Sequence, residues 1–469
     1  MQSFEHSSPL PPLSSIERVC WTVVGWVLNG IYVGLLAVVA PVLIYRSLKL
    51  GKYRSGWSQK LWGSVPQLAP TNLDAPRYWL HAVSVGEVLL LQSVVAELQR
   101  RQPMAEIVIS TTTATGHNVA QQKFPSCQHC YFPLDFTWAV RRAIARIQPT
   151  QIVLVELELW PNFIIAARRA KVPLSLINGR LSERSFRGYA RLNFLSGPTG
   201  PLSFIGRILR CFDSISVQTP TYADRFIALG AMADRVRITG SVKYDRVETN
   251  RSNVRTQNLR SALGLSVHET VFVAGSTQET EELAALHAWC EARQVFPQLR
   301  LILVPRHQER FEEVARLVIA EGHALIRRSK LDDGSTALSR DAVILLDTLG
   351  ELSDCWGLAD FAFVGGSLTK RGGQNMIEPA GYGAAVCFGP NTLNFRDIVE
   401  NLREREAAVV VKDDNDLAGT ILNWLRHPSE ARQLGQCAQE FVATQCGATT
   451  RTVDVLVGAS KGEQLLRAA

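Results

Sequence analysis

Short apolar runs rich in β-branched residues recur along this chain, and their alternation with helical stretches decides the fold class. From Pro70 to about residue 240 the runs are "RYWLHAV", "EIVIST", "QIVLVE", "PLSLIN", "SISVQT" and "VRITG". A polar segment without apolar period, "KYDRVETNRSNVRTQN", follows. The alternation then restarts with "TVFVAGS", "RLILVP", "VILLDT", "FAFVGGS", "AAVCFGP" and "AAVVVK". Strands that are apolar throughout are buried on both faces, and strand–helix alternation makes their sheets parallel. Two such halves joined by a linker predict an α/β protein with two Rossmann-like domains facing a cleft. A chain of 469 residues, 46% hydrophobic and 20% charged, can fill both cores.

A different signal precedes the first half. Cys20–Tyr45, "CWTVVGWVLNGIYVGLLAVVAPVLIY", contains no charged residue. As a helix it would span ~39 Å, against ~30 Å for the hydrocarbon core of a bilayer. Arg46, Lys49, Lys52, Arg54 and Lys60 follow with no acid among them. That flank predicts a single-pass anchor with everything after Arg46 on the cytoplasmic side. Trp21, Trp26 and Tyr45 are candidate interfacial anchors, and a buried core helix is the competing reading. The predicted organisation is a tail at 1–19, a transmembrane anchor at 20–45, and domains at 46–245 and 246–469.

The net charge of +7 is not gathered into basic and aromatic clusters, which argues against a nucleic-acid partner. It suits anionic lipids or phosphorylated substrates equally well. Nine scattered cysteines do not form a disulfide framework. "CQHC" (Cys127 to Cys130) is the only CxxC, sits in a predicted loop and has only His129 beside it. It reads as reduced, structural thiols, and no metal is expected.

In open parallel sheets, ligands gather at the carboxyl ends of the strands. In the second half these ends read "VAGSTQETEE", "LVPRHQERF", "DTLGEL" and "FVGGSLTKRGGQNMIEPAGYG". Glycine-loop amides there would make an anion site, and Asn375 and Glu378 share a helix face. Four polar loops on one edge point to a nucleotide or nucleotide-sugar. In the first half, "HAVSVGE" places Glu87 at a strand–helix joint, where a carboxylate also complements the helix dipole. Glu156 and Glu158 alternate on an extended segment and would point to one side, with Arg180 or Arg184 as ion-pair partners for one of them. Paired carboxylates suit glycoside hydrolysis, but the nucleotide-like half favours transfer.

"HAVSVGE", "ELELWPN", "NGRLSERS", "TGSVKYD", "LVPRH", "LGEL" and "FVGGSLTKRGGQNMIEP" occur in that order. Together they resemble the 3-deoxy-D-manno-octulosonic acid (Kdo) transferases of lipopolysaccharide assembly, from about residue 15 to the C-terminus. The resemblance implies a GT-B glycosyltransferase fold, a CMP-Kdo donor, a lipid A precursor acceptor (lipid IVA), and an inverting reaction without metal or cofactor. It also implies a bacterial inner-membrane location, with membrane lipids as partners. It assigns Glu87 as general base and Glu158 and Lys243 as supports of the transition state. Pro305, Arg306, Leu349, Gly350, Glu351, Asn375, Met376, Ile377 and Glu378 become CMP contacts. This chain departs from the family pattern at Gln278 and Gln374, where histidines are usual, and at Leu349, where methionine is. The rival readings are another GT-B enzyme using a UDP-sugar, such as a transferase or epimerase, and a catalytically silent membrane-anchored binding protein.

Overall fold

The computed structural model describes residues 10, 13–50, 55–69, 75–193, 197, 198, 200, 203–331 and 339–467, with the backbone alone at 43, 46, 50 and 459–467. Of the basic flank, Lys52, Arg54 and the Arg46 side chain lie outside the described residues.

The chain divides into two compact units, Met1–Asp245 with Cys446–Ala469, and Arg246–Gln445. The last segment is a correction, because the sequence places it with the second domain. The helix Ala448–Arg467 sends Val453 and Leu456 into the same core as Val88, Val94 and Leu98. Arg101 pairs with Asp454, and the Asp245 carboxylate accepts the N–H groups of Gly447 and Thr449 at its start.

The first unit holds a seven-stranded sheet of β1 (Arg77–Ala82), β2 (Glu106–Thr111), β3 (Gln128–Tyr131), β4 (Gln151–Val155), β5 (Leu174–Gly179), β6 (Ser214–Val217) and β7 (Val236–Ile238). Its order is β3-β2-β1-β4-β5-β6-β7, parallel throughout. Along β1, Tyr78, Leu80 and Ala82 enter one core while Trp79 enters the other with Phe132 and Phe163. All six residues of β1 are buried, as in a strand covered on both faces; its two polar members are partnered, Arg77 with Glu106 and His81 with Ser110.

The second unit repeats the plan with β8 (Thr270–Thr277), β9 (Leu299–Pro305), β10 (Leu325–Arg327), β11 (Val343–Leu345), β12 (Phe361–Val364), β13 (Ala385–Phe388) and β14 (Val409–Val410). Its order is β10-β11-β9-β8-β12-β13-β14, again parallel. Two strands go unread in the sequence, β3 and β10. Both are short and carry polar residues, so neither shows an apolar run. β3 also moves Cys130 from a predicted loop into the sheet.

The N-terminal helix runs Ser15–Leu50, longer than the uncharged stretch at both ends. At its start Glu17 accepts the Ser14 N–H at 3.0 Å and Ser14 Oγ accepts the Glu17 N–H at 3.2 Å, a capping box that starts the helix before the apolar run. The helix is long and apolar enough to cross a membrane. One of its faces rests on the first unit. Trp21 is only 7% exposed, packed on Phe204 with the Arg207 guanidinium over its ring, so it is not a free interfacial anchor. Asn29 exchanges hydrogen bonds with Thr137, and Tyr32 donates to Asp135. The other face is apolar and open, with Trp26 68% exposed.

Candidate active site

In the first sheet the strand order reverses between β1 and β4, so the loops after those strands flank the crevice where such sheets bind ligands. β1 passes through Val83 and Ser84 into the helix Val85–Arg101. Ser84 is the N-cap, and its Oγ accepts the Glu87 N–H at 3.3 Å. The Glu87 carboxylate reaches back to accept the Val83 N–H and the Ser84 hydroxyl, both at 2.8 Å. Glu87 therefore has a helix-capping role. Burial pushes the Glu87 carboxyl above its ordinary range; the Val83 and Ser84 hydrogen bonds oppose the rise and the Glu156 charge adds to it.

After β4 the chain bends at Glu156, whose φ of +62° ends the extended alternation expected to put Glu156 and Glu158 on one side. Glu156 pairs with Lys243 at 3.5 Å. Glu158 accepts the Trp160 indole N–H at 2.6 Å. Burial pushes the Glu158 carboxyl up to about 7, opposed by that indole and reinforced by the charges of Glu87 and Glu156. Three carboxylates thus feel one another at the switch point, and Lys243 stands against one of them.

Lys243 comes from the loop after β7. That loop is held by Asn178, whose Oδ1 accepts the Val242 N–H at 3.2 Å. Asn178 takes a φ of +54° near the end of β5, and its carbonyl accepts from the Gln218 side chain at 3.0 Å. Asn178 carries no role in the sequence reading, and Glu156 enters it only as one of a carboxylate pair with Glu158. The signal for Asn178 is its Asn-Gly pair directly after an apolar run, because Asn tolerates the left-handed region.

In the second sheet β11, β9, β8 and β12 are successive neighbours, so the loops leaving them share one edge. Pro305 closes β9, and the Arg306 N–H donates to the Thr277 carbonyl at 3.0 Å. The Asn375 amide donates to Glu378 at 2.8 Å while its oxygen accepts the Ile377 N–H at 3.1 Å. Met376 and Ile377 are buried beneath this turn. Burial raises the Glu378 carboxyl, and Asn375, Arg246 and Arg306 draw it back, so Arg306 and the Asn375–Glu378 turn share one electrostatic neighbourhood. Leu349 is 72% exposed, and Gly350 takes a φ of +92°. Glu351 pairs with Arg328 at 3.2 Å and accepts the Thr348 hydroxyl.

One expectation fails at this edge. The N–H groups of Gly366, Ser367 and Leu368 are not open to an anion, because they donate to the carboxylate of Glu281. Among the described residues no cluster of His, Cys, Asp or Glu is arranged to hold a metal. Cys127 and Cys130 are buried free thiols, and burial pushes Cys130 up to about 12.

Two parallel sheets with polar strand ends are the frame of the GT-B class. The UDP-GlcNAc 2-epimerase from Neisseria meningitidis bound to UDP-GlcNAc superposes on 81% of this chain and 99% of its own, with a TM-score of 0.54 at 10% identity, a likeness of fold alone. The class defined by fold and strand-end residues is therefore the two-domain GT-B proteins. Within it, a family model described as 3-deoxy-D-manno-octulosonic-acid transferase (kdotransferase) matches residues 53–246. The 3-deoxy-D-manno-octulosonic acid transferase of Haemophilus influenzae is 31% identical over 435 residues, covering 91% of this chain and 97% of that protein. The Bordetella pertussis protein of the same name is 32% identical over 446 residues, covering 91% and 98%. The chain belongs to the 3-deoxy-D-manno-octulosonic acid transferase family and is a glycosyltransferase.

Proposed function

We propose that this enzyme moves Kdo from CMP-Kdo to a lipid A precursor, with inversion at the anomeric carbon, on the cytoplasmic face of a bacterial inner membrane. The observation that carries the reading is Glu87, a carboxylate raised by burial at a sheet switch point, held by the Val83 N–H and the Ser84 hydroxyl. An acceptor hydroxyl is a weak nucleophile and must lose its proton as it attacks. Glu87 takes that proton while the hydroxyl oxygen bonds to the anomeric carbon. The bond from that carbon to the CMP phosphate oxygen breaks in the same step, and CMP leaves with the electron pair. Glu158 and Lys243 stabilise the charge that shifts across the reacting sugar. Donor CMP contacts Pro305, Arg306, Leu349 to Glu351 and Asn375 to Glu378, with Arg306 meeting the phosphate charge. The open apolar face of the Ser15–Leu50 helix supports attachment to the membrane that carries the acceptor.

Incubation of the detergent-solubilised protein with CMP-Kdo and lipid IVA, followed by mass analysis, tests the reading. A gain of one or more Kdo masses is expected. No gain with CMP-Kdo, alongside transfer from a UDP-sugar, would overturn donor and acceptor together.

A further inference from the structure

In the second sheet the strand order reverses between β8 and β12. The loops leaving those two strands are the ones a phosphate-bearing ligand meets in such a fold. Between them lies Glu281, fully buried in the first turn of the helix Glu281–Arg293. Its Oε2 accepts the N–H of Gln278 at 2.9 Å and of Gly366 at 2.6 Å, and its Oε1 accepts those of Ser367 and Leu368, both at 2.9 Å. Three successive N–H groups form a concave anion nest of the kind that elsewhere holds phosphate. Here the nest is filled from within the protein. The glycine pair follows from this closeness. A Cβ on Gly365 would fall 2.8 Å from the Glu281 oxygen and 2.5 Å from the Thr277 Cα, and Gly366 takes a φ of +67°.

The next residue, Glu282, is also fully buried and pairs with Arg310 at 2.6 Å. Arg310 ends the short turn that follows Arg306 and His307, and its N–H donates to the His307 carbonyl at 3.0 Å. A buried charge stripped of its partner is far more costly than an exposed one, so each carboxylate is committed to its own loop.

We propose that Glu281 and Glu282 are the positioning residues of the donor site. Glu281, accepting the three N–H groups of Gly366, Ser367 and Leu368, shapes the Gly365–Leu368 loop. Glu282, through Arg310, clamps the loop that carries Arg306. The assignment rests on reading the second unit as the CMP-Kdo site. Its consequence is that the nest does not receive the donor phosphate, whose charge falls instead to side chains such as Arg306.

The test uses the full chain in detergent with Glu281→Gln, Glu282→Gln, Arg310→Met and the double variant of the last two. The readouts are CMP affinity by calorimetry, KM and kcat for CMP-Kdo, and amide hydrogen exchange at residues 365–368. In Glu281→Gln the amide cannot accept from all four N–H groups. CMP affinity should fall roughly 10-fold or more, KM should rise by more than kcat falls, and the Gly366–Leu368 amides should exchange faster. Glu282→Gln and Arg310→Met should each weaken CMP, and the double variant no further than the weaker single, because the two act as one unit. That cycle decides the matter even if Glu281→Gln does not fold. Unchanged CMP affinity and KM in folded Glu281→Gln, or additive losses at Glu282 and Arg310, would overturn the proposal. A wild-type enzyme that binds UDP and not CMP would overturn the donor reading alone, and the same variants are then read with UDP.

Discussion

Replacing Glu87 by Gln separates its helix-capping role from its role as a base. In the native site the carboxylate accepts the Val83 N–H and the Ser84 hydroxyl, both at 2.8 Å. Gln keeps an oxygen for the Val83 N–H, and the Ser84 hydroxyl turns to accept from the new amide. The hydrogen-bond count holds, while the charge-assisted part and the dipole interaction go, a loss of about 0.3–1 kcal/mol. Working the other way, Glu87 titrates above its ordinary range because burial disfavours its charge, so a neutral side chain removes that desolvation cost. The net stability change should stay within about 1 kcal/mol, a shift of about 2–4 °C in the melting temperature of the first unit. Catalysis should respond differently. Without a group to take the acceptor proton, single-turnover transfer should fall by ~10²–10⁴. CMP affinity should hold, because the proposed CMP contacts belong to the second unit. Melting temperature, CMP calorimetry and rapid-quench transfer on this one variant give the three numbers. A Glu87→Gln enzyme that turns over within a few-fold of wild type would refute the reasoning and leave Glu87 as a helix cap.

Glu158 supplies a pH prediction with a definite sign. Its folded carboxyl lies at about 7, above the ordinary glutamate value, so its ionisation costs stability as pH rises from about 4.5 through 7. Glu158→Gln, uncharged throughout, should gain melting temperature relative to wild type between pH 5 and pH 8; a constant offset across that range would contradict the burial argument. Arg306→Ala should raise the KM for CMP-Kdo by about 10–100-fold through loss of a charge-assisted contact to phosphate, and chelators should leave transfer intact. Strict dependence on a divalent ion would overturn the view that side chains meet the phosphate charge. Deleting residues 1–45 should release much of the protein from membranes and also lower its melting temperature, since Trp21 and Asn29 pack on the first unit. A full-length protein that is wholly soluble without detergent would defeat the membrane assignment.

Much of this protein is legible in its sequence because the signals are local. A strand buried on both faces is mostly apolar, so β1, β4, β8 and β9 declare themselves as runs even with Arg77, His81, Gln151 and Arg300 buried among them. The strand ends that carry Glu87, Arg306 and the Asn375–Glu378 turn then follow from the rule that ligands sit at carboxyl edges. β3 and β10 escape because a short strand with polar positions shows no apolar run. The uncharged stretch marks the N-terminal helix but not its bounds, which the Ser14–Glu17 capping box sets at one end.

What only the tertiary structure decides are the pairings between residues far apart in the chain. Lys243 could answer any acid in the sequence. The bend at Glu156 and the grip of Asn178 on Val242 select Glu156. The C-terminal helix reads as a late part of the second half, and only the fit of Val453 and Leu456 beside Leu98 returns it to the first unit. The glycine loop reads as an open anion site, because a stretch of sequence shows N–H groups and not what has already claimed them. Glu281 claims them from 85 residues away. Local periodicity sets which elements form. Which buried charge meets which backbone depends on how sheet order brings distant loops to one edge, and no window of sequence contains that geometry.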